Sequence, residues 1–184
     1  MMLNEQTEVK LAELKLSGML ESYREQMTNK EYQSMSFEDR FNLMVDLEHS
    51  RRKNNKLQRL IKSANFRNAS ASIEDIEYHP DRNLDKNLIL KLASGTYLEE
   101  HHNIILMGAS GNGKTYIANA FGIQACRQYY NVKYIRLPEL LDELTISKNQ
   151  ADGSFRKIIN RYKKVQLLII DEWLLTDLSL ENST

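Results

Sequence analysis

The octapeptide Gly108-Ala109-Ser110-Gly111-Asn112-Gly113-Lys114-Thr115 constrains the fold of this chain more than any other stretch. It directly follows the apolar run Ile104-Ile105-Leu106-Met107 and opens a helix-patterned segment carrying Ile117, Ala118, Phe121 and Ala125. A glycine, four free positions and Gly-Lys-Thr, set between a strand and a helix, is the pattern of a phosphate-binding loop. The glycines let successive backbone amides curl inward, where a Cβ would block the dihedrals and the close approach of phosphate. The helix that follows adds the positive end of its dipole. Lys114 then reads as the cation for the β- and γ-phosphates of ATP, and the Thr115 hydroxyl as a ligand of Mg2+. The nucleotide-binding candidates are therefore Gly108, Ala109, Ser110, Gly111, Asn112, Gly113, Lys114 and Thr115. A glycine-rich turn with a stray lysine is the competing reading.

Three short apolar or β-branched runs, NIILMG (103–108), VKYIRL (132–137) and VQLLIID (165–171), alternate with helix-length amphipathic segments. That alternation predicts an α/β fold with a parallel sheet and helices on its faces. Asp171 closes the last run, 56 residues after Thr115, where a second magnesium-associated carboxylate is expected, and Glu172 follows it. Asp171 is the expected metal partner beside Thr115. Glu172 is the expected catalytic base for the water attacking the γ-phosphate, with Lys114 as its catalytic companion. Without the loop, an Asp-Glu pair after a strand would read as a turn or a helix cap.

The front of the chain has no strand pattern. Val9, Leu14, Leu16, Met19, Leu20, Tyr23 and Met27 recur mostly at three- and four-residue steps and predict one helix over 5–27, weakened by Gly18. Ser36-Phe37-Glu38-Asp39 has the form of a capping box and predicts a second helix from Ser36. A similar signal at Ser72-Ile73-Glu74-Asp75 precedes Pro80 and a helix carrying Leu84, Leu88, Ile89 and Leu92. The expected organisation is a helical domain over 1–68, a linker and helix over 69–102, and an ATPase domain over 103–184.

The 25 basic and 25 acidic residues balance, so net charge announces no partner. Their distribution says more. From 51 to 67 the chain carries Arg51, Arg52, Lys53, Lys56, Arg59, Lys62 and Arg67 without one acid. Such a stripe suits phosphate neutralisation along DNA, with Arg51, Arg52, Lys53, Lys56 and Arg59 as candidate contacts; a solvated helix face is the alternative. No apolar run is long enough to cross a membrane and the amino terminus lacks a secretory core, so the cytoplasm is the expected location. The single cysteine, Cys126, reads as a small core residue, and the four histidines show no metal-ligand spacing with it.

Taken together these segments resemble the IstB-like ATPases, helpers of insertion-sequence transposition related to the DnaC helicase loaders within the AAA+ superfamily. LKLSGMLESYREQM, SFEDRFNLMVDLEHSRRKNNKLQRLIKSANFR, ACRQYYNVKYIRLPELLDEL and DGSFRKIINRYKKVQLLIIDEW carry the resemblance in the family's order. It implies an AAA+ P-loop ATPase sheet behind a small all-α amino-terminal domain. It also implies ATP-dependent assembly as a homo-oligomer on DNA and a transposase as partner. Trp173 fits the family pattern, whereas Leu174 stands where a small residue is usual. Only 13 residues follow Asp171, where the family continues through two further strands, a sensor residue, an arginine reaching a neighbouring subunit and a helical lid. The expectation is a truncated chain with an incomplete sheet, whose strands ending at Gly108 and Asp171 each lack the neighbour that belongs between them, and whose hydrolysis is impaired. Two other functions stay open: a non-catalytic remnant that binds transposase or DNA, and a helicase loader.

Overall fold

A computed structural model describes residues 2–79, 83–150 and 152–173. The chain divides into two compact units, Met1–Lys56 and Leu57–Thr184. The division falls inside a helix, upstream of the composition boundary near residue 68. Physical packing explains the difference: Leu57, Leu60, Ile61 and Ala64 already belong to a core with Ala125, Cys126 and Val132.

The first unit holds α1 (Met2–Glu13), α2 (Ser17–Thr28), a 3-10 turn (Lys30–Ser34) and the greater part of α3 (Phe37–Ala64). The single helix predicted over 5–27 is thus two. Lys15 adopts a left-handed φ of 56° between them, and the Leu16 amide closes the end of α1 by donating to the Leu11 carbonyl at 2.9 Å. The start of α3 is as expected: the Ser36 hydroxyl accepts from the Asp39 amide at 3.1 Å. Where α2 meets α3, the Gly18 amide donates to the buried Glu48 carboxylate at 2.7 Å. A Cβ on Gly18 would stand 2.7 Å from the Glu48 Cα. The glycine that weakens the helix in isolation is what allows this approach.

The second unit continues from Leu57 through α4 (Lys86–Ala93), α5 (Thr96–Glu99), α6 (Lys114–Arg127), β1 (Val132–Arg136), α7 (Leu137–Lys148), α8 (Ser154–Lys163) and β2 (Leu167–Asp171). Asp85 caps α4, accepting from the Asn87 and Leu88 amides. The capping-type signal at Ser72 forms a turn instead of a helix start, with the Glu74 amide donating to the Ser72 hydroxyl at 3.2 Å. Pro80 and Leu174 lie outside the described residues.

β1 and β2 run parallel, in register from Val132 opposite Leu167 to Arg136 opposite Asp171. Parallel neighbours need a crossover, here supplied by α7 and α8. The buried side of α6, including Ile117, Ala120, Phe121 and Ile123, forms the core with Ala71, Ile73, Ile76 and Ile89. The predicted strand over 103–108 is corrected: among the described residues only β1 and β2 form a sheet. Ile105 and Met107 are 80% and 87% exposed, while Leu106 packs against the core. The alternation of a strand is present without a ladder partner.

Candidate functional site

The loop from Gly108 to Gly113 joins this extended segment to α6. Its backbone takes positive φ at Gly108 (154°), Gly111 (82°) and Gly113 (74°). A Cβ at Gly111 would meet nothing within 4 Å, so the dihedral and not the space demands glycine there. The loop is exposed up to Asn112. Lys114 folds back over it, its ammonium donating to the Gly108 and Ala109 carbonyls at 2.8 Å each. The amides of the first turn of α6 precede the ladder, whose first bond runs from the Ile117 amide to the Gly113 carbonyl.

One residue further, the Thr115 hydroxyl donates to Asp171 Oδ2 at 2.7 Å. The fold thus joins the first turn of α6 to the tip of β2. Tyr134, from β1, donates its phenol to the same oxygen at 2.8 Å, and the Glu172 amide donates to Oδ1 at 2.9 Å. Burial acts to raise the Asp171 pKa. The Thr115, Tyr134 and Glu172 bonds, with the attraction of Arg67, outweigh it and hold the carboxyl below its ordinary value. Burial and this same carboxylate push the Tyr134 phenol well up, so it remains a donor.

Glu172 sits just past the strand at a left-handed φ of 57°. Two guanidinium groups hold its carboxylate, Arg67 at 3.3 Å and Arg136 at 3.4 Å. Arg136 also binds Glu139. Beside the loop lies a cavity of about 220 Å³ lined by Asp75, Ile76, Glu77, Gly113, Tyr116 and Ile117. The Tyr116 hydroxyl accepts from the Ser72 amide at 3.3 Å and so fixes the strap that forms one wall.

An alcohol and an ionised carboxylate are hard oxygen donors that suit magnesium, which takes most of its other ligands from phosphate and water. Among the described residues no group of three or more His, Cys, Asp or Glu could hold a metal by itself. Cys126 is fully buried, and burial raises its thiol to about 11, as suits a core residue.

Sequence reasoning named Gly108 to Thr115, Asp171 and Glu172, and the structure brings these together. It missed Tyr134, Arg67, Arg136 and the strap over 72–77. The period-two alternation of VKYIR places Tyr134 and Arg136 on one strand face, but nothing local pairs them with the acids. The candidate DNA contacts are not gathered at this site. Arg51 pairs with Glu21 and Arg52 with Glu48; Lys53, Lys56 and Arg59 are exposed along α3.

A glycine loop entering a helix, its threonine bonded to an acid at the tip of a parallel strand, defines an α/β protein of the P-loop NTPase class, here with a small sheet. Comparison with known proteins sharpens this. The family model described as IstB-like ATP binding protein matches residues 9–184, and the chain belongs to that family. It is 41% identical over 172 residues to a Pseudomonas fluorescens protein of insertion sequence IS1162 named for ATP binding, covering 94% of this chain and 74% of that relative. A Sinorhizobium fredii insertion-sequence relative, y4pL, is 34% identical over 92% of this chain and 68% of its own length. An insertion sequence IS232 relative from Bacillus thuringiensis is 28% identical, with 91% and 66% covered. No helix among the described residues is long and apolar enough to cross a membrane.

Proposed function

We propose that the chain is an ATP-binding helper of DNA transposition. In this reading the loop amides from Gly108 to Gly113 and the Lys114 ammonium receive the triphosphate, and the base enters the cavity beside Tyr116. Thr115 and Asp171 are the residues that would hold magnesium, which when bound offsets phosphate charge. Glu172 is the base that would orient or deprotonate the attacking water. The observation that carries the reading is the 2.7 Å bond between Thr115 and Asp171 beneath the loop. Two residues 56 apart in sequence meet where the chemistry needs an alcohol beside a carboxylate.

The insertion-sequence names of the relatives supply the transposition context. Within it we assign the transposase, DNA and further copies of the chain as partners. The exposed cations Lys53, Lys56 and Arg59 support the DNA assignment. A second reading has its own support: Glu172 is held by two arginines, and a carboxylate tied in this way is occupied elsewhere than on a water, which favours nucleotide-gated binding over turnover. The protein is then an interaction module whose partner surfaces, more than its hydrolysis, carry the function.

Calorimetric titration with a non-hydrolysable ATP analogue and magnesium tests the site. The folded chain should bind, and Lys114→Ala should weaken binding by at least about tenfold, as expected when a charge-assisted hydrogen bond of about 1.5–3 kcal/mol is removed. Absence of binding by a folded sample would overturn the proposal. Phosphate release by the same sample, with and without DNA, separates the turnover enzyme from the gated module.

A further inference from the structure

Asp171 Oδ2 accepts two hydroxyl protons, one from Thr115 at 2.7 Å and one from Tyr134 at 2.8 Å. The two donors come from different elements and act differently. Thr115 belongs to the phosphate loop side. By giving its proton to Asp171 it leaves its own oxygen lone pairs turned away from the carboxylate, available to a cation. That orientation lasts only while the carboxylate stays in place. Tyr134 is 4% exposed and stands on β1, which pairs with β2 from Val132 opposite Leu167 onward. Its phenol therefore approaches from the packed sheet with little freedom to lose. Asp171 is further held by the Glu172 amide at Oδ1, offered by a residue in the left-handed region, and by the longer-range attraction of Arg67.

We propose that Tyr134 is a positioning residue for the metal site: its hydroxyl fixes Asp171 so that Thr115 and Asp171 present their oxygens to magnesium together. This inference rests on the nucleotide-site reading above. It goes beyond that reading by assigning a third element, β1, to metal affinity. A tyrosine that merely satisfied its buried hydroxyl on the nearest acid would affect stability and not the metal.

The test uses the full 184-residue chain and a non-hydrolysable ATP analogue, titrated by calorimetry in EDTA and across a magnesium series. Tyr134→Phe keeps the ring and removes the donor. Outer partners of metal ligands are commonly worth 10–100-fold in affinity, so the magnesium needed for half-maximal enhancement should rise about tenfold, with affinity in EDTA within about twofold of the parent. In an Asp171→Asn background the shift should vanish, because the two residues act as one pair. Circular dichroism and thermal melting check the fold of each variant. If Tyr134→Phe melts lower, its comparison within the Asp171→Asn background still separates positioning from packing. An unchanged magnesium midpoint overturns the proposal. So does an equal loss with and without magnesium, or the same shift in the Asp171→Asn background. If Asp171→Asn moves the midpoint and Tyr134→Phe does not, this inference alone falls. If the parent shows no magnesium-dependent binding, or if neither substitution matters, the nucleotide-site reading falls with it.

Discussion

Glu172 shows how much of a site depends on neighbours that a sequence does not display. Its type and place after a hydrophobic strand make it a candidate base from the letters alone. Its restraint by Arg67 and Arg136 comes from residues 105 and 36 positions away, which no local pattern joins. Arg67 lies within a basic run that suggests DNA, and the structure places it on an acid instead. This has a measurable consequence. A solvent-exposed ion pair is worth up to about 1 kcal/mol, so Arg67→Ala should raise ATP turnover by up to about fivefold through a freer Glu172. Steady-state phosphate release checks it, with nucleotide affinity as the control. The loop residues were legible for the opposite reason: glycine dihedrals, a lysine and a threonine are requirements of adjacent positions, and adjacency is what a sequence records.

At the scale of elements, the expected strand over 103–108 shows where pattern and pairing part. Ile104 and Leu106 turn inward while Ile105 and Met107 face solvent, which is the alternation of a strand, yet a ladder needs a second chain segment in register. The front helix failed differently. Its apolar spacing runs through the break at Lys15, because three- and four-residue steps constrain each turn without stating that the turns share an axis. Between α2 and α3, Glu48 accepts the Gly18 amide and pairs with Arg52 at 2.5 Å. Burial opposes its charge, but the Arg52 and Gly18 bonds prevail and lower its pKa. A carboxylate lowered on folding contributes stability above its unfolded pKa, about 4.3, and loses it as pH falls through the lower folded value. Urea unfolding at pH 7 and pH 3 should therefore show a larger loss in the parent than in Glu48→Gln, which is itself less stable at pH 7.

For the molecule as a whole, α3 has two chemical sides along its later turns. At about 100° per residue, Arg52, Lys56, Arg59 and Lys62 fall on one arc and Leu57, Leu60, Ile61 and Ala64 on another. The apolar arc packs into the core of the second unit, which leaves the basic arc outward. Replacing Lys56, Arg59 and Lys62 together by alanine should weaken binding to duplex DNA and reduce the log–log salt slope by about 0.9 for each phosphate no longer neutralised. Titrations at several salt concentrations measure it, and an unchanged slope would return the stripe to a solvated face. The tie between Thr115 and Asp171 has a consequence for thermal denaturation. It spans the start of α6 and the end of β2, so a ligand that engages both residues binds only while the segment between them is folded. Saturating nucleotide with magnesium, at about 100 times its dissociation constant, should add about 2.7 kcal/mol to the unfolding free energy. Differential scanning calorimetry should find that gain as an upward shift of the transition in which α6 and β2 unfold.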